Sequence, residues 1–294
     1  MDLDLVFFGT SGSVPTAQRA PSALLVRRGS ERLLFDCAEG TQRQMLRSTV
    51  GLVELREIFL THYHADHFLG LPGMLKTFAL RGRELGLTVY GPPGLLDLFA
   101  ALKRIFGKLT YRLELEELQP GDVLDRDGYK LVTFAPMHGL SSIGYALVEG
   151  PRPGRFDVEA ADELGVPAPQ RGLLQRGESI ELEEDRVITP DQVLGPPRPG
   201  RKIVISGDTG PSPVVVEAAR DADVTLLALT HLSNRYFGPE IAREARTIFS
   251  ETVVPKDFDV IDVPFPERGA PRLIKAGARP ERGTAPEPER EAVP

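Results

Sequence analysis

The sequence predicts a mixed α/β (α+β) fold in which sheets are covered by helices. Three observations carry that expectation. Short apolar runs recur between glycine-rich turns, helical patches separate some of these runs, and other runs follow one another closely enough to be hairpins. In chain order, Leu3–Phe8, Ala23–Arg27, Arg32–Cys37, Glu57–Leu60 and Leu87–Tyr90 read as strands. So do Leu131–Ala135, Ile143–Val148, Lys202–Ser206, Val224–Leu229 and Val260–Val263. Helices are expected over Gly40–Arg47, Leu69–Leu80, Pro93–Ile105, Ser212–Arg220 and Pro239–Phe249. The last opens on Pro-Glu, which suits a helix N-terminus because the missing proline N–H is not needed there.

Two stretches break the alternation. Residues 150–200 are rich in Pro, Gly and charge, with short helical patches only over Val158–Leu164 and Leu173–Gln175, and read as an inserted arm. Residues 266–294 are mostly Pro, Ala, Glu and Arg. Such a composition buries too little apolar surface to offset the entropy of ordering, so a disordered tail is expected there. The main domain is then residues 1–265, with the arm inside it.

The chain of 294 residues suffices for one large domain or two small ones. No apolar run approaches a membrane span, and MDLDLVFFGT lacks the basic start and apolar core of a signal peptide. A cytoplasmic location is the expectation. The single cysteine, Cys37 in LLFDC, reads as a small buried residue and cannot form an internal disulfide. A net charge of -7 argues against a generally basic nucleic-acid coat and leaves room for a local basic patch.

The chemistry concentrates in THYHADHFLG, where His62, His64, Asp66 and His67 spell H-x-H-x-D-H straight after a strand. Imidazoles and a carboxylate are ligands suited to Zn²⁺, and four of them on one turn can serve two adjacent ions. The bland alternative is a solvated polar loop. Three further ligand types sit at strand ends: His138 in FAPMHGL, Asp208 in ISGDTG and His231 in LALTHLS. Taken singly, each could be a structural histidine or a capping aspartate. Together they supply what a two-ion site lacks, and all five histidines of the chain are then used.

With these residues on the page, the chain resembles the metallo-β-lactamase superfamily. FFGTSGSVP, RAPSALLV, LLFDCAEGTQRQM, LTVYGPPG, FDVEAADELGVP, RGESI, GRKIVISGDTGPS and LTHLSNRY, in order from about Leu5 to Val263, narrow the resemblance to the ribonuclease Z family. The resemblance implies an αββα sandwich, two mixed sheets face to face with helices outside and a protruding arm. It implies an endoribonuclease with two Zn²⁺ per subunit that removes the 3′ trailer from precursor tRNA as a homodimer. Carried over position by position, His62, His64 and His138 would hold one zinc, and Asp66, His67 and His231 the other, with Asp208 bridging. The arm would grip tRNA, and Arg152, Arg155, Arg171 and Arg176 are the basic residues assigned to that role. Acidic residues interleave with them, so shape and phosphate recognition are expected more than a strong electrostatic grip.

Two zincs can clamp the attacking and leaving oxygens of a phosphodiester and ionise a water near neutrality. Asp66 would ligate and also take the water's proton, or only ligate. Asp36 and Glu39 are candidates to orient ligands or to cap helices. One departure stands out. The family's His-Glu-Ala-Thr and His-Ser-Thr segments, which supply its general acid, are absent, and the gap falls between Leu226 and Leu227. Of two neighbouring strand positions, Val224–Thr230 is expected to take the second, because LTHLSNRY matches intact there. Two alternatives to the endoribonuclease follow: a non-catalytic tRNA-binding paralogue, and a small-molecule phosphodiesterase of the same superfamily.

Overall fold

A computed structural model describes residues 1–139, 141–183, 186–220 and 224–277. The first third of the chain alternates strands and helices. In order these are β1 (Leu3–Gly9), β2 (Ala23–Arg28), β3 (Glu31–Phe35), α1 (Thr41–Arg47), β4 (Glu57–Phe59) and α2 (Ala65–Phe68). Then come α3 (Leu71–Leu80), β5 (Leu87–Gly91), α4 (Leu95–Phe106) and β6 (Leu113–Glu117). The middle holds β7 (Val123–Arg126), β8 (Tyr129–Phe134), β9 (Gly144–Glu149), α5 (Val158–Glu163) and α6 (Arg171–Gln175). It continues with β10 (Ile180–Glu181), β11 (Val187–Ile188), β12 (Lys202–Ile205) and α7 (Pro213–Arg220). The last part holds β13 (Leu227–Ala228), α8 (Gly238–Arg246), β14 (Thr252–Val253), β15 (Val260–Asp262) and β16 (Arg272–Ile274).

The chain divides into two compact units. One takes residues 1–116, 225–264 and 270 onward; the other takes 117–224 and 265–269. The first unit is built on a mixed sheet of order β16-β15-β1-β2-β3-β4-β5-β6. β3, β4 and β5 are parallel neighbours, and parallel pairing needs a crossover, which α1 and the α2–α3 pair provide. Phe8, Leu25, Leu34, Ile58, Met74, Leu75 and Phe99 lie in one fully or almost fully buried cluster. On α4 the buried residues Leu95, Phe99, Leu102 and Phe106 recur at helical spacing, and Gly107 at φ 67° ends the helix. Phe35, Phe59 and Tyr90 occupy the same register on β3, β4 and β5 and stack at 5.0 and 4.7 Å.

The second unit holds an antiparallel sheet of order β12-β9-β8-β7. The arm leaves after β9 and returns before β12. Its two ends run antiparallel, with bridges Arg152↔Arg198 and Phe156↔Leu194. It carries its own small core of Ala161, Val166, Leu174, Ile180, Ile188 and Val193. At its base Arg201 and Glu149 pair with side-chain exposures of 3% and 6%, and the Arg201 guanidinium lies 3.9 Å from the Phe265 ring centre.

Several elements differ from the sequence reading. The strand expected over Val224–Leu229 is only Leu227–Ala228, paired parallel to β14. The helix expected over Leu69–Leu80 is α3, which begins two residues later at Leu71, and a short helix that was not expected, α2, precedes it over Ala65–Phe68. β6 and β7 were hidden because charged residues make up half or more of their sequences, LELEE and VLDR. β16 falls inside the stretch that composition marks as tail. It takes its order from pairing Val260↔Ile274 and Asp262↔Arg272 against the edge of β15, not from its own apolar content. Of the tail expected over 266–294, residues 278–294 lie outside the described residues.

Cys37 is fully buried, and burial pushes its thiol far above the ordinary range. It is expected to resist iodoacetamide in the folded chain and to react stoichiometrically after denaturation, as mass spectrometry would read. Rapid labelling of the native protein would contradict this burial.

Candidate metal centre

The metal loop is fixed from below by one buried carboxylate. Asp36 follows β3 at φ 58°, a left-handed conformation that turns the chain beneath the loop. It accepts from Thr61 N at 2.9 Å, from Ser22 Oγ at 3.2 Å and from His67 Nδ1 at 2.7 Å. Thr61 Oγ1 also reaches both Asp36 oxygens, at 3.0 and 3.1 Å. A carboxylate only accepts, so His67 carries its proton on Nδ1 and presents Nε2 to the site. Thr61 has one hydroxyl proton, and that proton goes to Asp36. Toward His62 Nδ1, 3.0 Å away, Thr61 Oγ1 is therefore the acceptor. A single carboxylate thus sets the tautomer of two imidazoles, one directly and one through a hydroxyl. The close approach depends on Gly70, where a Cβ would lie 1.9 Å from the Ala38 carbonyl oxygen.

Above this base the ligand atoms converge. His62 Nε2 lies 3.0 Å from His64 Nδ1, and the His62 ring centre is 4.0 Å from that of His67. His67 Nε2 lies 3.2 Å from His231 Nε2, which is 3.0 Å from Asp66 Oδ2. Asp66, His67 and His231 each offer a ligand atom within 4.8 Å of the others. His231 is 165 positions from Asp66 in sequence and is held at φ 59°, a conformation rare outside glycine. The loop Gly9–Ser13 braces it: Leu232 N donates to Thr10 O and Gly12 N to Leu232 O. A Cβ on Gly12 would stand 2.6 Å from the His231 carbonyl oxygen and 2.7 Å from its Nδ1, so only glycine fits. Ser13 N donates to Asp66 Oδ2 at 2.7 Å. Burial pushes the Asp66 carboxyl up, yet the His231 hydrogen bond, the nearby His67 and the Ser13 N–H outweigh it, and its pKa is lowered.

In the second unit, His138 and Asp208 stand together, Nε2 to Oδ2 at 4.0 Å. Their loops are tied by Gly210 N donating to Met137 O and Met137 N donating to Thr209 Oγ1. The arm arginines differ in availability. Arg152 chelates Glu267 and lies over Phe265, Arg171 pairs with Asp162, and Arg176 with Glu178. Arg155 is exposed, with no such partner among the described residues. Glu39 is likewise exposed and makes none of the contacts that Asp36 makes.

Sequence reasoning passed over Thr61, Ser13 and Gly12. Thr61 adjoins the histidines, and a hydroxyl beside a ligand is a usable signal. Ser13 acts through its backbone N–H, which leaves no trace in residue type.

The donors fit a divalent ion. Two Nε2 atoms facing each other at 3.2 Å with a carboxylate oxygen at 3.0 Å form a nitrogen–oxygen set suited to Zn²⁺. Thr61→Val keeps the shape and removes the hydroxyl. If His62 ligates the ion, as the ligand set proposed below has it, the exchange is expected to weaken Zn²⁺ binding by about 10–100-fold in competition with a chromophoric chelator. Unchanged affinity would mean that Thr61 does not orient His62.

Comparison with known proteins places these features. A family model described as the metallo-beta-lactamase superfamily matches residues 17–151. Ribonuclease Z of Methanosarcina mazei is 40% identical over 304 residues, covering 90% of this chain and 99% of the relative. Ribonuclease Z of Halorubrum lacusprofundi is 42% identical over 308 residues, covering 91% and 99%. Among solved structures, the short form of human tRNase Z superposes with a TM-score of 0.54 at 24% identity, covering 89% of this chain and 99% of that one. At that identity the superposition speaks for the fold alone, the mixed α/β arrangement of a large sheet and helices that the first unit displays.

Proposed function

Because the chain belongs to the ribonuclease Z family of the metallo-β-lactamase superfamily, we propose that it is a zinc-dependent endoribonuclease that removes the 3′ trailer from precursor tRNA. The observation that carries this reading is the convergence of Asp66, His67 and His231 over a carboxylate that orients His67. The proposed ligand set for two ions is His62, His64, Asp66, His67, His138, Asp208 and His231. Bound divalent ions supply Lewis acidity toward the phosphodiester and acidify water.

The chain's own groups do the rest. Asp66 accepts the proton of the attacking water and is kept in place by Ser13 N. Asp36 and Thr61 hold the imidazoles of His67 and His62 in one tautomer. Arg155, which has no side-chain partner among the described residues, is an arm cation available for an RNA phosphate, and the small core of the arm gives it a defined shape to present. We further propose a homodimer in the cytoplasm. Among the described residues no helix is long and apolar enough to cross a membrane.

A second reading is favoured by one specific observation. All five histidines belong to the proposed ligand set, so no histidine remains to protonate the leaving 3′ oxygen. General acid catalysis is typically worth about 10²–10⁴ in rate, and a chain without it could retain tRNA binding alone. Single-turnover cleavage of a 3′-extended precursor tRNA by the zinc-loaded protein decides. Cleavage just after the acceptor stem supports the endoribonuclease. Tight binding without cleavage supports the binding paralogue. Hydrolysis of bis-p-nitrophenyl phosphate with tRNA left intact would instead favour a small-molecule phosphodiesterase.

A further inference from the structure

A cavity of about 570 Å³ in the first unit lies against α8, β14 and β16, apart from the metal ligands. Its floor is apolar, from Ala242, Val253 and Leu273, and four cations line it: Arg19, Arg246, Lys256 and Lys275. Two carboxylates also line it, each held by hydrogen bonds, which leaves four cations against two anions. Asp257 accepts from Thr10 Oγ1, Ala20 N and Gln44 Nε2, and Asp259 accepts from Lys256 N and Ala276 N. The cations are less committed. Arg19 spends Nη1 on Thr10 Oγ1 and Pro255 O, while its Nη2 lies 3.6 Å from where a Cβ on Gly238 would stand. Arg246 donates its Nε to Thr252 O. Lys256 and Lys275 are exposed, and neither ammonium has a hydrogen bond or ion pair among the described residues.

Two more features point to the ligand. Tyr236 and Phe237, directly before Gly238, are 66% and 64% exposed. Exposed aromatic rings beside a cationic groove are the means by which proteins stack unpaired bases and follow a phosphate backbone. One contact links the cavity wall to the chain next to His231. Leu232, the residue after His231, has its Cδ1 3.6 Å from the Cβ position of Gly238 in the cavity wall.

We propose that this cavity binds the phosphodiester backbone of a single-stranded RNA segment, the 3′ trailer, with bases stacked on Tyr236 and Phe237. The proposal rests on the ribonuclease reading for the identity of the strand. The charge of the cavity selects a polyanion, the rings select one that carries bases, and the contact of its wall with the residue after His231 favours the strand that leaves the proposed cleavage site.

The test uses the full chain and a fluorescein-labelled single-stranded RNA hexamer, read by anisotropy across a salt series. Lys256→Glu with Lys275→Glu is expected to weaken binding at least about tenfold. It should also make the log–log salt slope shallower by about 1.4, from roughly 0.7 per lost phosphate contact. Tyr236→Ala is expected to cost at least about fivefold. Lys256→Gln with Lys275→Gln, a milder exchange at exposed positions, should fall in between. An unchanged slope in the double Glu variant overturns the proposal. Displacement of the hexamer by millimolar inorganic phosphate as readily as by RNA also overturns it, and would mark a small-anion site. A companion series of precursor tRNAs with trailers of one to about eight nucleotides separates this idea from the function. If none is cleaved while hexamer binding still depends on the two lysines, the cavity stands and the ribonuclease reading falls. If all are cleaved and KM ignores trailer length in both the wild type and the variant Lys256→Glu with Lys275→Glu, the cavity assignment falls alone.

Discussion

Asp66→Ala is expected to reduce single-turnover cleavage of precursor tRNA by about 10³-fold or more. The substitution removes the proposed ligand and proton acceptor, and the group that His231 Nε2 meets at 3.0 Å. Asp66→Asn sharpens the result. The amide oxygen can still accept from Ser13 N, so the loop keeps its support. It cannot carry the negative charge or take a proton near neutrality. Both variants should therefore be nearly equal in activity, with Asn the closer to wild type in thermal midpoint. A variant that keeps more than a tenth of the wild-type rate would remove Asp66 from the chemistry.

The second large effect concerns stability. Glu149→Ala is expected to destabilise the protein by about 3–5 kcal/mol in urea unfolding, because it strands a buried guanidinium. Arg201 donates Nε and Nη2 to Glu149 at 2.7 and 2.8 Å, and its backbone N–H to the same carboxylate at 3.2 Å. The pair closes the base of the arm, with Glu149 ending β9 and Arg201 just before β12. The double exchange Glu149→Ala with Arg201→Met should recover much of the loss, since an apolar pair leaves no orphan charge. A single-variant cost under about 1 kcal/mol would mean that water reaches Arg201 once the carboxylate is gone.

What the sequence disclosed follows from where information was concentrated. His62, His64, Asp66 and His67 crowd four candidate ligands into six positions, a density that a structural loop does not need. The long strands were readable because β1, β2 and β3 are apolar runs bounded by turns. β6, β7 and β16 were not, because their order comes from neighbours that composition does not reveal. The availability of the arm arginines was hidden for the same reason. Arg152 lies 115 positions from Glu267, yet both oxygens of that carboxylate hold it, so a basic residue by count is not a cation open to RNA. The relay from Asp36 through Thr61 to His62 likewise requires three dimensions. Residues 36 and 61 are brought together by the parallel pairing of β3 and β4.

The order of strands in the large sheet has a consequence for synthesis. β1 precedes the other strands of this sheet in the chain, and one of its two neighbours, β2, follows at once. Its other neighbour is β15, with Val6 opposite Val260. At 5–20 residues per second, β1 waits roughly ten to fifty seconds with one row of backbone donors and acceptors unmatched. The N-terminal half of the sheet must therefore persist through most of translation with an open edge, and a ribosome that stalls in the arm holds the nascent chain in the state most prone to pair with another copy.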